Sequence, residues 1–223
     1  MSKTSVSPGK FISFEGGEGV GKSTQVHLLR DRLVNNGIDV LVTREPGGSP
    51  GAEEVRQLLL TGNPDKWDPM SEVLLFYAAR VDHLTRTVQP ALKAGKWVIS
   101  DRYADSTFAY QGAGHGLGAD LIQKIHHIAT GNFWPDLTLL LDIAPENGLK
   151  RALAREAEIS ENQREDRFEK MDHGFHRDLR QTFLNRAKAD PSRFNVISAD
   201  GTIEGIAGHI WQAVQSHFSM IQG

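Results

Sequence analysis

The stretch EGGEGVGKST, residues 15–24, limits most strongly what this chain can fold into. It fits G-x-x-x-x-G-K-[ST], a pattern that carries meaning where a strand leads into it and a helix follows. Both are predicted here, because the apolar run FISF (11–14) precedes the stretch and a helical pattern follows it as far as Gly37. Backbone N–H groups of such a loop converge on an anion at the helix N-terminus. The sequence therefore predicts a phosphate-binding loop for a nucleoside triphosphate.

Individual residues of this loop have separate predicted roles. We expect Lys22 to reach the β- and γ-phosphates and Ser23 to hold Mg²⁺. Asp101, at the end of a later apolar run, is the acid expected in the Mg²⁺ shell; an ion pair that caps its own loop is the alternative. Glu18 is unusual, because a carboxylate stands in the middle of a loop built for anions, and an inert acid at the loop tip is the alternative. The residues predicted to bind ATP are Gly16, Gly17, Glu18, Gly19, Val20, Gly21, Lys22, Ser23 and Thr24.

Five β-rich runs alternate with helical patterns along the chain. The runs are FISF (11–14), DVLVT (39–43), WVIS (97–100), LTLLL (137–141) and FNVIS (194–198). Each is apolar at odd and even positions alike, which is typical of strands buried on both faces of a parallel sheet. The alternation predicts an α/β fold of the P-loop NTPase type, a five-stranded parallel sheet flanked by helices with right-handed crossovers. No repeat or linker divides the chain, so we predict one domain over 1–223.

Composition narrows the classes of function. The formal net charge of −3 and the pI of about 6.3 give no strong positive field for nucleic acid or an anionic membrane. The absence of cysteine excludes disulfides and thiolate metal sites and fits a reducing cytosol. The most apolar run, LTLLL, is far shorter than the roughly 20 residues that cross a bilayer. We therefore expect a cytoplasmic protein that binds neither nucleic acid nor membrane.

Other motifs decide between classes of nucleotide-binding protein. A switch GTPase would need D-x-x-G and N-K-x-D motifs, and neither occurs in the chain. An ATPase motor would usually be larger and would show an apolar run that ends in Asp-Glu. Here the third run leads into SDRY (100–103), in which Arg102 is suited to a second phosphate. The loop and this arginine together indicate two phosphate sites.

Four stretches, taken in order, resemble thymidylate kinases and particularly the bacterial form. They are the phosphate loop, TREPGG (43–48), FYAAR (76–80) and DRYADSTFAYQG (101–112). The resemblance implies transfer of the γ-phosphoryl group of ATP to dTMP with Mg²⁺, a step in making dTTP. It also implies a homodimer, to which the apolar face around Val73 to Ala79 is a candidate contribution. Another nucleoside monophosphate kinase is the nearest alternative, and a non-catalytic nucleotide-binding regulator is the alternative of a different class.

Residues on these stretches are implied to bind dTMP. Phe76 and Arg80 stand four apart on a predicted helix, so a ring could stack on a base while a guanidinium donates to its edge. A core phenylalanine beside a surface arginine is the other interpretation. The resemblance implies that Arg102 and Arg56 hold the monophosphate, although an exposed helix position is the alternative for Arg56. It implies that Tyr110 crowds the sugar 2′ position, with a packing tyrosine as the alternative. The predicted dTMP-binding residues are Glu18, Glu45, Arg56, Phe76, Arg80, Arg102, Thr107, Tyr110 and Gln111.

Two acids among these residues have implied roles that go beyond simple binding. The resemblance implies that Glu18 turns away from the triphosphate, accepts a hydrogen bond from the sugar 3′-hydroxyl and helps to order nearby arginines. Glu45 either lines the monophosphate pocket or pairs with one of its arginines.

The polar segment REAEISENQREDRFEKMD (155–172) fits either a solvated helix or loop or a mobile lid. Some thymidylate kinases carry an arginine directly after the loop acid, where this chain has Gly19. The resemblance implies that a lid arginine takes its place; Arg155 matches best, with Arg151, Arg164 and Arg167 as neighbours. We predict a lid over about 147–170 and a catalytic set of Lys22, Arg102 and Arg155. The attacking phosphate oxygen is already ionised, so catalysis needs positioning and charge neutralisation rather than a general base.

Overall fold

The computed structural model of the chain describes residues 8–63, 65–156 and 167–220. Its strands are β1 (Phe11–Glu15), β2 (Val40–Arg44), β3 (Trp97–Asp101), β4 (Leu137–Asp142) and β5 (Phe194–Ser198). They are parallel and lie in the order β2-β3-β1-β4-β5. The predicted five-stranded parallel α/β fold is confirmed, and each predicted run ends within one residue of the observed strand.

Helices flank this sheet. In the described ranges they are α1 (Lys22–Asn35), α2 (Pro50–Leu60), α3 (Pro69–His83), α4 (Gln89–Lys93), α5 (Ala104–Thr107), α6 (Ala119–Thr130), α7 (Pro145–Glu156), α8 (His173–Ala189) and α9 (Ile203–His217). Not one of these helices combines the length and the apolar character that a bilayer-spanning segment requires.

The main core lies where α1 and α9 pack against the central strands. The stripe of Val26, Leu29 and Leu33 on α1 is buried there against α9 residues, and burial of each such side chain stabilises the fold by about 1.5–3 kcal/mol. Strands β1 and β4 are buried along almost their whole length. The expectation of burial on both faces is wrong for β2, which is at most half-buried along its length, and for β5, in which Val196 is 47% exposed. Strands at the edges of the sheet, such as β5, have a neighbouring strand on one side only, and their side chains are therefore covered less completely.

Two π-helical turns interrupt the helices near the middle of the chain. The first, Leu84–Val88, joins α3 to α4 with helical backbone angles, so the helix continues through Pro90. A widened turn accommodates a proline that would otherwise clash with the carbonyl group four residues earlier. The second, Phe108–Gly114, follows α5 and carries residues predicted to bind dTMP. Turns of this kind occur frequently at functional sites.

The strand order determines where a ligand can bind. Strand β1 pairs with β3 on one side and with β4 on the other. In open α/β sheets, ligands bind beyond the carboxyl ends of the strands where the order reverses in this way. The loop after β1 and the residues after β3 meet at that point, because Phe14 is in register with Asp101.

Candidate active site

The phosphate-binding loop has a backbone that only glycine adopts readily. Gly16 has φ 137°, and a Cβ atom placed on it would lie 2.4 Å from the carbonyl oxygen of Leu141 on β4. The loop then turns into α1, whose first residue is Lys22. The first N–H groups of a helix have no partner within it and are the donors that bind anions at a helix N-terminus.

Lys22 is folded back over the loop that it terminates. Its Nζ donates to the carbonyl oxygens of Gly17 at 2.8 Å and Gly16 at 3.2 Å. Burial, followed by the charge of Arg102, lowers the pKa of Lys22 to about 8. A phosphate group in the loop would add negative charge beside this ammonium group and so raise its pKa.

Ser23 and Asp101 come together as predicted. The Ser23 hydroxyl donates to Asp101 Oδ2 at 2.7 Å, and both residues line the same cavity. In the described part of the chain, no group of three or more His, Cys, Asp or Glu side chains could hold a metal alone. Mg²⁺ commonly binds through one or two protein oxygens, phosphate oxygens and water. This donor pair fits Mg²⁺ that enters with ATP.

A cavity of about 480 Å³ adjoins the loop. Its volume lies within the usual range for small-molecule sites. All nine residues predicted to bind dTMP line it, as do loop residues 18–24. Gly16 and Gly17 line a smaller pocket on the other side of the loop. The structure thus gathers side chains from β3, α2, α3, α5 and the second π-turn around one space.

Arg102 and Glu18 form the centre of this cavity wall. The Arg102 guanidinium lies 3.0 Å from Glu18 Oε1 and 3.1 Å from Ser106 Oγ. The Tyr110 hydroxyl donates to the same Glu18 oxygen. Burial alone would raise the pKa of Glu18, but the charges of Arg102 and Lys22 outweigh it and bring the pKa to about 2. Glu18 is therefore an ionised residue paired with Arg102, and the role that the resemblance implies for it at the sugar 3′-hydroxyl stays a prediction.

Glu15 stabilises the backbone next to this arginine. It is not among the predicted site residues. It is fully buried at the end of β1 and accepts hydrogen bonds from Tyr103 N–H at 2.8 Å and Ser106 Oγ at 2.6 Å. Arg102 has φ 69°, a conformation uncommon for a residue with a side chain. The contacts of Glu15 fix the chain directly after that residue. The sequence does contain a signal for this role, because an acid stands between the apolar run and the phosphate loop.

Replacement of Glu15 by glutamine should reduce the pH dependence of stability. Burial, followed by the nearby Asp105 carboxylate, raises the pKa of Glu15 from 4.5 to about 8. Between these values the unfolded chain binds fewer protons than the folded one, so stability falls as the pH rises through about 8. Thermal unfolding at pH 6 and pH 9 should show a smaller fall in Tm for Glu15→Gln than for the wild type. Equal falls would contradict the assignment.

Arg80 and Glu45 form a buried ion pair in the wall of the cavity. Arg80 Nε donates to Glu45 Oε2 at 2.7 Å and Arg80 Nη2 donates to Thr107 Oγ1 at 3.0 Å. Arg80 is 2% exposed, so the interpretation of a surface arginine is wrong. Its Nη1 is buried and has no hydrogen-bond partner among the described residues. An unsatisfied buried donor costs about 1–3 kcal/mol, a cost that a ligand acceptor would remove.

Glu45 has the contacts of a structural residue. Besides Arg80, it lies 3.0 Å from His83 Nδ1 through its other oxygen. Burial by itself would raise the pKa of Glu45, but the charge of Arg80 and the contact with His83 lower it. These contacts favour the alternative in which Glu45 pairs with a pocket arginine, although its side chain also lines the cavity.

Aromatic rings form another part of the cavity wall. Phe76 and Tyr110 are joined by Phe168, whose ring centroid lies 6.5 Å from that of Phe76 and 5.1 Å from that of Tyr110. Flat rings of this kind suit a planar base. Phe168 is not among the residues predicted to bind a ligand, because it stands in the polar segment 155–172 where no apolar periodicity marks it.

Comparisons with known proteins agree with this geometry. The family model described as thymidylate kinase matches residues 14–210. The thymidylate kinase of Caulobacter vibrioides is 49% identical over 206 residues, which are 92% of this chain and 96% of that protein. The chain belongs to the thymidylate kinase family. The thymidylate kinase of Rhizorhabdus wittichii is 46% identical over 207 residues, 93% of this chain and 97% of that protein.

A solved structure of the thymidylate kinase family has the same fold. The crystal structure of thymidylate kinase from Ehrlichia chaffeensis superposes with a TM-score of 0.74 at 32% identity. The match covers 93% of this chain and all of that one. The family and the P-loop fold predicted from the four sequence stretches are therefore confirmed.

Gly19 is the position at which some thymidylate kinases were expected to carry an arginine. In this family member it has φ 65°, and a Cβ atom would lie 1.9 Å from the carbonyl oxygen of Gly148 at the start of α7. Gly148 in turn has no room for a Cβ atom, which would lie 2.4 Å from the carbonyl oxygen of Glu18. The backbone of the loop and the backbone of α7 are in direct contact here, so there is no room for a side chain at residue 19.

The remaining predicted residues are placed less completely. On α2, Arg56 Nη1 donates to the carbonyl oxygen of Pro46 at 2.7 Å, and the half-buried side chain lines the cavity. Arg155 belongs to α7, but its side chain lies outside the described residues, as do positions 157–166 of the predicted lid. Arg167 is buried and lies 2.5 Å from Glu72, which is not the position of a cation facing phosphate.

Proposed function

We propose that this protein transfers the γ-phosphoryl group of ATP to dTMP, giving dTDP and ADP as a step in making dTTP. One observation carries the proposal. The phosphate loop adjoins a cavity that contains a phosphate-binding candidate, Arg102, and a buried base-binding candidate, Arg80, whose Nη1 lacks a partner in the described chain. Membership of the thymidylate kinase family supports the choice of dTMP as acceptor.

The donor ATP would be held by the loop. Backbone N–H groups at the start of α1 and the ammonium group of Lys22 would bind its phosphates. Ser23 and Asp101 would hold Mg²⁺, which neutralises phosphate charge when it is bound with ATP. A phosphate at this position would draw Lys22 away from the loop carbonyl oxygens that it contacts in the structure.

The acceptor dTMP would occupy the adjoining cavity. Phe76 would stack on thymine while Arg80 Nη1 donates to a ring carbonyl group. Thr107 and Gln111 would hydrogen-bond to the base edge. Tyr110 would crowd the sugar 2′ position and so favour a deoxyribonucleotide.

Arginines and Glu18 would fix the other end of dTMP. Arg102 and Arg56 would bind its phosphate, and Glu18 would accept a hydrogen bond from the 3′-hydroxyl. In the reaction, an acceptor phosphate oxygen forms a bond to the γ-phosphorus of ATP, and the bond from that phosphorus to the β,γ-bridging oxygen breaks. Lys22 and Arg102 would neutralise the charge on the transferring group. Arg155 as a further cation, and a lid over about 147–170 that excludes water, remain part of the proposal.

The test is a panel of acceptors. ADP formation is measured with Mg-ATP and each of dTMP, dUMP, UMP, AMP, GMP and CMP, for the wild type and Arg102→Ala. We expect dTMP to be the best acceptor and its kcat/KM to fall about a hundredfold or more in the variant. If another monophosphate were the best acceptor, the protein would still be a kinase, but the proposal that the cavity binds thymine would be overturned. If the protein bound ATP but phosphorylated none of the acceptors, the proposed kinase activity would be overturned and a non-catalytic nucleotide-binding regulator would be favoured.

We also propose that the protein is a cytoplasmic homodimer that associates through one face of α3. Met70, Leu74 and Val81 lie along this face and are 38%, 55% and 38% exposed. Val73 and Ala79 are themselves buried, so within the stretch predicted around them it is the exposed Leu74 that a partner could contact. The exposed side chains recur at helical spacing and form an apolar stripe suited to a two-fold partner.

Introduction of charge on this face should produce monomers. Leu74→Glu places a carboxylate in the stripe, whereas Val34→Glu makes the same change on α1, at a position 51% exposed. Light scattering after size exclusion should give a dimer mass for the wild type and Val34→Glu and a monomer mass for Leu74→Glu. A monomeric wild type at micromolar concentration would refute the dimer, and a dimeric Leu74→Glu would move the interface elsewhere.

A further inference from the structure

A buried carboxylate that the proposed chemistry does not use lies behind the base end of the cavity. Glu72, on α3, is 0% exposed. Gln111 Nε2 donates to its Oε1 at 2.7 Å, and His115 Nε2 lies 3.1 Å from the same oxygen. Arg167 Nη2 lies 2.5 Å from the other oxygen. A buried carboxylate needs such partners, because an unpaired buried charge is strongly destabilising.

The charge of Glu72 determines which way the Gln111 amide faces. Burial by itself would raise the pKa of Glu72, but hydrogen bonds from His115 and Gln111 and the charge of Arg167 lower it. An ionised carboxylate only accepts hydrogen bonds, whereas an amide donates from its nitrogen and accepts at its oxygen. The Gln111 nitrogen must therefore face Glu72, and its oxygen must face the opposite way.

On the side away from Glu72, Gln111 borders the cavity, and we infer that its oxygen is directed there. Gln111 is one of the residues that line the 480 Å³ space, whereas Glu72 is not. Arg80, which lines the same space, has a buried N–H donor without a partner in the described residues. The base end of the cavity therefore offers an oriented acceptor from Gln111 and an unused donor from Arg80.

We propose that Glu72 is a positioning residue that makes the site select pyrimidines with a protonated N3, by holding the Gln111 carbonyl toward the base. This inference rests on the proposed function. Thymine and uracil carry N–H at N3, which donates to Gln111 Oε1. Cytosine carries a lone pair at N3, which the same oxygen repels, and an amino group at C4 that cannot accept from Arg80. Sites that orient hydrogen-bonding groups in this way reject the wrong partner strongly, because mismatched polar groups stay unpaired.

The test exchanges the carboxylate for a group that can also donate. In Glu72→Gln the new amide can accept from the Gln111 nitrogen or donate to its oxygen, so both orientations of Gln111 become accessible. We expect the ratio of kcat/KM for dTMP to that for dCMP to fall about tenfold or more, with KM for ATP unchanged. Competition between dTMP and dCMP in calorimetric binding should show the same loss without any turnover.

His115→Ala is the matched control. It removes the other donor to the same oxygen but leaves the carboxylate and its hold on Gln111. The dTMP/dCMP ratio should stay at the wild-type value in this variant. An equal fall in both variants would mean that loosening of the cluster, and not the orientation of Gln111, changes selectivity, and it would overturn the proposal.

A second variant keeps the proposal testable if Glu72→Gln does not fold. The double change Glu72→Leu with Arg167→Met removes both buried charges together, a replacement that is often neutral or stabilising. Gln111 then loses its fixed acceptor, and the ratio should fall as before. If either variant folds and keeps the wild-type ratio of kcat/KM for dTMP to that for dCMP, the role proposed for Glu72 is overturned, while the proposed function stands. A wild type that fails to use dTMP would overturn the proposed function instead, before any variant is made.

Discussion

Lys22→Met should lower kcat at saturating ATP and dTMP by about a thousandfold while the protein remains folded. The ammonium group is buried at the loop and lines the cavity, and in the proposed reaction it would lie beside the negative charge that develops on the transferring phosphoryl group. Loss of one preorganised cation or donor of this kind typically costs a factor of about 100 to 1,000, and more for a cation on phosphoryl groups. Methionine keeps much of the length of the side chain but removes the charge and the two hydrogen bonds to the loop carbonyl oxygens.

The measurement is steady-state ADP release, with circular dichroism to verify the fold. Lys124→Met, on the exposed side of α6, is the control for loss of a lysine and should keep wild-type turnover. A Lys22→Met enzyme within about tenfold of the wild type would remove Lys22 from the catalytic set.

The same lysine should give a signature that does not depend on turnover. Because the pKa of Lys22 is lowered to about 8 without ligand, phosphate binding should raise it and draw in a proton near pH 8.5. Calorimetry of ATP binding in two buffers of different ionisation enthalpy measures this uptake. Lys22→Met should lack that contribution, and equal uptake in both proteins would assign the proton to another group.

Gly19→Ala is expected to have the second large effect, a fall of about a hundredfold or more in kcat/KM for ATP. The residue has φ 65°, and a methyl group would lie 1.9 Å from the carbonyl oxygen of Gly148, which is backbone and cannot rotate away. The loop must therefore shift, and misplacement of catalytic groups by about 1 Å is enough for a loss of this size.

Gly17→Ala is the matched control from the same loop. A Cβ atom on Gly17 would meet only Leu179 Cδ2, at an ordinary contact distance of 3.9 Å. Its loss in kcat/KM for ATP should be much smaller than that of Gly19→Ala, and its Tm should stay closer to the wild type. Similar losses would show that sensitivity is a general property of the loop and not of the contact with α7.

The parts of the site that were predicted from the sequence share a physical property. The phosphate loop is contiguous, so its spacing alone states which residues meet the same ligand. Ser23 and Asp101 are far apart in the chain, but each is fixed relative to a strand end, and parallel strands bring such ends together. Local pattern and sheet geometry therefore sufficed for the fold and for the contact between Ser23 and Asp101.

The parts that were missed depend on contacts that no local pattern records. Glu72 meets Gln111 and Arg167, two residues that stand far from it in the chain and share no periodicity with it. In sequence, its carboxylate looks like any exposed helix acid. Phe168 is likewise hidden, because its polar neighbours conceal a ring that packs on Tyr110. Buried polar contacts are decided by tertiary packing, and packing was not visible in the residue order.

The pairing of Glu18 with Arg102 has a consequence for how the two substrates influence one another. Glu18 belongs to the loop that would hold ATP, and Arg102 would hold the phosphate of dTMP, so one ion pair spans both sites. A ligand that changes the charge around Glu18 would therefore change the affinity of the neighbouring site. By thermodynamic reciprocity, the factor by which ATP alters the affinity for dTMP is also the factor by which dTMP alters the affinity for ATP. This ion pair would thus couple the two proposed binding equilibria.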